Sequence, residues 1–226
     1  MKKWTWWVVG VVGVLLLGFV VAPFVYTRFI EGDAPERLTV GTASPSAAAG
    51  ESVSADGAWK VGADSQAGYR VKEVLFGQKV EAVGRTGEIS GDLTVAGSSV
   101  TEGEFTVQMA NVTSDQNRRD DQFRGRIMDV AQFPTSTFRL TAPIELGTVP
   151  AVGAQAEAEA TGELTLKGQT KAVTFPVTAS RTGADTFEVS GQIPVKFTDY
   201  GIDNPFFPGI EVEDDGHVEF LLKFTR

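Results

Sequence analysis

Thr186–Phe197 reads TFEVSGQIPVKF. Phe187, Val189, Ile193, Val195 and Phe197 occupy its odd positions, and Glu188, Ser190, Gln192 and Lys196 stand between them. A side-chain period of two belongs to a strand, whose successive residues face opposite sides, and not to a helix with its period of 3.6. The stretch is therefore read as a strand with one apolar face. The same beat runs through its neighbours. Val218, Phe220, Leu222 and Phe224 share a face in VEFLLKF, and Val173, Phe175, Val177 and Ala179 do so in KAVTFPVTAS. GELTLKG sets Leu164 with Leu166, GEFTVQMA sets Phe105 with Val107 and Met109, and GDLTVAG sets Leu93 with Val95. GYRVKEV, AWKVGAD and TFRLTAPIEL add strands with mixed faces. Gly-containing turns separate many of these runs, as in hairpin-connected antiparallel sheets. Eight or so strands without intervening helical patterns indicate a β-sandwich or a β-barrel.

The choice between the two bears on function. A sandwich fills its interior with its own side chains, whereas an eight-stranded barrel can leave room for one small ligand. Strands of about 12 residues at ~3.3 Å each, tilted by ~40°, make a barrel roughly 30 Å tall. An apolar tube of that height suits an extended hydrocarbon chain. Alternation by itself does not separate a tube from a packed core.

One stretch breaks the beat. Asn117–Leu140, NRRDDQFRGRIMDVAQFPTSTFRL, opens with clustered Arg and Asp and continues with aromatics. Composition narrows the chemistry further. The 226 residues hold no cysteine and one histidine, His217, which excludes thiolate chemistry and multi-histidine metal clusters. Any Ser-His-Asp arrangement has a single candidate base, so an enzyme is not expected. The formal charge is −9, and the first 27 residues contribute only Lys2 and Lys3, leaving −11 on the remainder. A domain so acidic is a poor partner for nucleic acid, whose phosphates demand Lys and Arg.

Trp4–Thr27, WTWWVVGVVGVLLLGFVVAPFVYT, is uncharged over 24 residues, and a bilayer core needs ~20. Lys2 and Lys3 precede it, and Trp4, Trp6, Trp7 and Tyr26 sit near its ends as interfacial aromatics do. A cleaved signal peptide would have a shorter apolar run followed directly by a small-x-small site. Here APFVYTRF follows. Residues 1–27 are therefore expected to be one uncleaved transmembrane anchor, N-terminus inside and the remaining chain extracytoplasmic. In Gly41–Gly57, GTASPSAAAGESVSADG, thirteen of seventeen residues are Gly, Ala, Ser or Pro. Such a segment buries too little apolar surface to order itself, so residues 28–57 are read as flexible linker ahead of a domain over 58–226.

Other polar clusters are weaker. EVEDDGH at Glu211–His217 lacks the spaced oxygen ligands of a Ca²⁺ loop and reads as solvated loop. His217 is expected at the surface. Glu73 and Glu81 are carboxylates that nothing in the sequence brings together.

Four motifs follow one another: Trp59–Asp64 with Ser65, then RRDDQFRGRIMDVAQFPTSTF, GELTLKGQTKAVTFPV and FTDYGIDNP. In this order they resemble the YceI-like family, lipocalin-like barrels named for polyisoprenoid binding. The similarity spans about residues 58–226. Where many relatives carry histidines after the opening Asp and in the next strand, this chain has Gln66 and Glu73. The resemblance implies an extended eight-stranded antiparallel barrel with a short helical segment near one end and an isoprenoid or other long-chain lipid inside, without cofactor or metal. The broken stretch then becomes a polar helix with Asn117 as its cap, Asp120 and Asp121 in its first turn, and Phe123, Ile127 and Met128 on its buried side. Phe133-Pro134 closes it. Candidate ligand contacts along the wall are Tyr69, Phe105, Phe138, Phe175, Phe187, Phe197 and Phe220. Phe123, Met128 and Phe133 are the candidates from the helical segment, and Tyr200 is the candidate for a ligand head.

Overall fold

The computed structural model describes residues 34–41, 54–75, 77–203 and 210–226. The expected anchor, Trp4–Thr27, lies outside them, as does most of Gly41–Gly57. Among the described residues no helix is long and apolar enough to cross a membrane.

Eleven strands form one antiparallel sheet: β1 (Gly57–Val61), β2 (Gln66–Leu75), β3 (Gln78–Thr86), β4 (Ile89–Ala96), β5 (Ser99–Gln108), β6 (Thr135–Leu140), β7 (Ile144–Glu145), β8 (Gln155–Leu166), β9 (Gln169–Gly183), β10 (Thr186–Lys196) and β11 (Ile210–Thr225). Two pairs of these are halves of single bent strands. β1 and β2 lie end to end along one edge of β11, through Lys60 opposite Thr225 and Gln66 opposite Leu221. β3 and β4 continue each other on the far side, against β2 and β1 respectively. At the bend in β1–β2, Ser65 replaces the missing ladder contacts. Its hydroxyl donates to Gly62 O at 2.8 Å and accepts from Lys223 N at 3.0 Å. Counted this way, eight long strands close in the order β1/β2, β3/β4, β5, β6, β8, β9, β10, β11 and back to β1/β2. Closure leaves few open edges, so the wall needs no covering layer. The expected eight-stranded antiparallel barrel is present.

The alternating runs place their apolar face inward, and the gaps in those runs are glycines. Gly191 interrupts Val189 and Ile193 on β10, and it stands opposite Phe220 of β11. A Cβ there would meet the Phe220 ring at 2.7 Å. Gly84 likewise stands opposite Tyr69, and its Cβ would come within 2.4 Å of that ring. Bulky rings thus lie flat against a neighbouring strand and leave the bore clear.

Three expectations are corrected. Glu211–His217 is not a loop but part of the 16-residue β11. Its carboxylates punctuate a strand whose register shifts between Val212 and Gly216. Residues 35–41, within the span read as flexible linker, lie against the barrel wall. Pro35 O accepts from Arg70 Nη2 at 2.7 Å, Val40 N donates to Ser190 Oγ at 3.3 Å, and Gly41 N donates to Glu188 Oε2 at 3.0 Å. Polar strand residues supply docking partners that linker composition does not reveal. Asn117 does not cap the helix: α1 spans Asn117–Gln122, with Gln116 at the cap position and no side-chain cap bond. Buried Asp120 reaches back instead, accepting from Ser114 N at 2.8 Å and Ser114 Oγ at 2.7 Å. A turn of π-helix, Phe123–Ile127, follows directly.

The segment that docks on the wall covers a buried charge cluster. Glu219 is fully buried on the outer face, where it accepts from Arg70 Nε at 2.9 Å and Arg85 Nε at 2.8 Å. Arg70 Nη1 also donates to Glu81 at 2.6 Å. Burial alone would lower the Arg70 pKa, but its bonds to Glu219 and Glu81 outweigh that and hold it above the ordinary value.

Candidate ligand-binding site

The barrel interior is hollow. A cavity of about 750 Å³ runs between Trp59 and Val95 at one end and Phe123 and Arg119 at the other. A close-packed interior has few voids larger than a water molecule, so this space is a feature of the fold. Nine of the sequence-derived candidates border it: Tyr69, Phe105, Phe123, Met128, Phe138, Phe175, Phe187, Phe197 and Phe220. Alternation located the wall residues because every strand has one inward face.

Two candidates lie elsewhere. Phe133 is not on the cavity wall; its ring packs over Gly168 at the β8–β9 turn, where a Cβ would meet it at 2.6 Å. It fastens the helical segment to that turn. Tyr200 is buried in the apolar cluster and borders a separate shallow depression with Asp199, Lys171 and Asp215. Burial, with Asp199 adding to it, raises its phenol pKa.

The aromatic wall is built in contact pairs. Phe175 meets Phe138 at 5.4 Å and Phe220 at 6.0 Å, both edge to face. At the far end Trp59 meets Phe187 at 4.8 Å, and its indole N–H donates to Ala55 O at 2.8 Å. Trp59 is fully buried and floors the tube. Its alternation signal is weak because β1 is short; only the Trp-x-x-x-x-Asp motif marked it.

The α1 end is different in character. Tyr69 and Phe123 stack at 5.0 Å with planes 19° apart, which ties the helical segment to β2. Above them Glu73 Oε1 accepts from Arg119 Nη2 at 3.2 Å, and Arg119 also pairs with Asp115. Gln116, Arg118 and Gln122 complete this rim, and Arg118 is exposed. Arg119 is half-buried at the rim. Its single-turn spacing from Asp115 hid the longer reach to Glu73. Burial raises the Tyr69 phenol well above its ordinary value of 10.0, Arg119 opposes that rise, and Asp120, Glu73 and Asp115 add to it. The site therefore presents a neutral hydroxyl beneath a charged rim. Glu73 faces this side, whereas Glu81 pairs with Arg70 on the outer face, so the two do not form an acid–base couple. His217 is partly exposed and borders the cavity, opposite Arg70 on β2. Among the described residues no cluster of His, Asp and Glu could hold a metal.

A largely apolar tube with a polar rim calls for a comparison with known proteins. Residues 59–224 match the YceI-like domain. The chain belongs to the YceI-like family. A search of curated proteins finds no match. Solved structures do match. A polyisoprenoid-binding domain from Saccharophagus degradans, implicated in plant cell wall breakdown, superposes with a TM-score of 0.60 at 18% identity, covering 74% of this chain and 97% of that one. BcnA from Burkholderia cenocepacia gives 0.53 at 22% identity, covering 69% and 95%. A YceI protein from Campylobacter jejuni gives 0.50 at 15%, covering 61% and 81%. At these identities the likeness is one of fold. The two polar positions singled out in the sequence are now placed: Glu73 is at the rim, bound to Arg119, and Gln66 is exposed where β2 begins.

Proposed function

We propose that this YceI-like chain is a membrane-anchored, extracytoplasmic lipid-binding protein that sequesters an isoprenoid or fatty amphiphile. The hydrocarbon chain occupies the tube and the polar head rests at the α1 rim. The observation that carries this reading is the continuous apolar cavity of about 750 Å³. The Saccharophagus degradans relative, described as polyisoprenoid-binding, supports the ligand class. Transfer of about ten CH₂ groups from water contributes ~8 kcal/mol before ordering and association costs. Affinity then needs few polar contacts, in keeping with a wall that offers few. The uncharged run Trp4–Thr27 behind Lys2 and Lys3 supports the anchor and its direction. The role is binding rather than catalysis.

Native mass spectrometry of the protein purified without detergent tests this. A co-purifying or added long-chain lipid is expected as a discrete mass increment. A clean apo mass after isoprenoid and fatty amphiphiles have been supplied would leave the barrel as an envelope interaction module.

A further inference from the structure

Residues 35–41 touch the wall in an ordered climb. Gly41 meets Glu188 and Gln155, Val40 meets Ser190, and Arg37 meets Gln192 and Glu81. Pro35 and Glu36 then meet Arg70 and Arg85. On β10 the contacted positions move from Glu188 by Ser190 to Gln192, away from the β9–β10 turn and toward α1. Arg85, which donates to Glu36 O, exchanges backbone hydrogen bonds with Thr113, four residues ahead of α1. Residues 41 to 35 thus climb the wall toward its α1 end, and Ala34 is the departure point.

Only residues 28–33 separate that departure point from the end of the uncharged run at Thr27. Six residues reach at most ~20 Å, less than the barrel's height of roughly 30 Å. On the anchor side, then, the docked segment and the uncharged run lie at most six residues apart. We infer that the barrel stands with its α1 rim against the bilayer surface and its Trp59 end pointing away. This rests on the anchor reading proposed above. Exposed Arg118 and Arg126 lie on the same end, where they suit anionic head groups on an otherwise acidic chain. The rim through which a lipid would pass then meets the bilayer that supplies it, without the lipid crossing water.

The full chain lacks cysteine, so single labels can be placed cleanly. Asn117→Cys on α1 and Ala184→Cys on the β9–β10 turn each carry a fluorophore in vesicles of phosphatidylcholine and phosphatidylglycerol. A nitroxide on the lipid head groups serves as quencher. Quenching several-fold stronger at position 117 than at 184 is expected. Inserting about twenty Gly/Ser residues between Asp33 and Ala34, a coil of ~25 Å, should largely remove that difference. Equal quenching at both positions, or stronger quenching at 184, in vesicle-bound protein overturns the orientation and leaves the anchor standing. Protein left in the supernatant with neither label quenched overturns the anchor and the orientation together.

Discussion

Tyr69 shows how one residue ties wall to rim. Its ring lies flat over Gly84 and stacks on Phe123, so the empty space above a glycine positions an aromatic. A methyl at position 84 would stand 2.4 Å from Cε1, 2.8 Å from Cζ and 2.9 Å from Oη of Tyr69, and only that ring can yield. Gly84→Ala is expected to cost ~1–3 kcal/mol by overpacking, measured by denaturant unfolding. Adding Tyr69→Leu should recover part of the loss; unchanged stability in Gly84→Ala alone would show that the ring is not held there. The same burial sets a pH dependence. The Tyr69 phenol has a folded pKa above its unfolded 10.0, so the fold favours the neutral form. The associated stability is full below pH 10 and declines as pH rises through 10 toward the folded value. In difference titrations against Tyr69→Phe, phenolate absorbance should therefore appear only with unfolding. Absorbance half-developed near pH 10 in folded protein would contradict this.

At the scale of elements, α1 and its π-turn are where sequence and structure part most. The beat of two placed nearly every wall strand, because inward and outward faces are fixed by backbone geometry. The helical segment was recognisable as an interruption, with Phe123 and Met128 correctly set inward, but its polar contacts were not legible. Arg119 to Glu73 spans 46 positions, and Asp120 to Ser114 is a back-bond across the helix start rather than a dipole contact. The docked residues 35–41 were hidden for the same reason, since their partners are strand side chains far along the chain. If α1 gates the tube, Phe123→Ser or Met128→Ser should accelerate lipid exchange, while most of the wall persists. Arg119→Gln should also act, because it strips buried Glu73 of a cationic partner; Arg124→Gln, removing a solvent-exposed pair with Asp121, should change little. Amide exchange at 117–130 is expected to be faster than in β8–β11 and to slow once lipid is bound. Strand-like protection without lipid, unaltered by its addition, would make the segment a fixed cap.

The whole molecule is a wall without a filling, and its stability should behave accordingly. Phe175 is 3% exposed and held edge to face between Phe138 and Phe220, yet it also borders the cavity. In a close-packed core, Phe→Ala typically costs ~3–5 kcal/mol, because transfer and cavity terms add. Here part of that cavity already exists, so the loss in the lipid-free protein is expected to fall below that range. Ligand should restore what the core lacks. A lipid that binds only the folded barrel, at one hundred times its Kd, contributes ~2.7 kcal/mol by mass action. For a domain of this size that raises Tm by roughly 5–10 °C. Thermal unfolding of native protein with and without lipid should show this rise, and Phe175→Ala should diminish it, since the ring that lines the tube also contacts its occupant. A Phe175→Ala protein that loses the full core-like amount when lipid-free, with its lipid-induced rise intact, would mean that Phe175 packs against protein alone and that the lipid lies elsewhere.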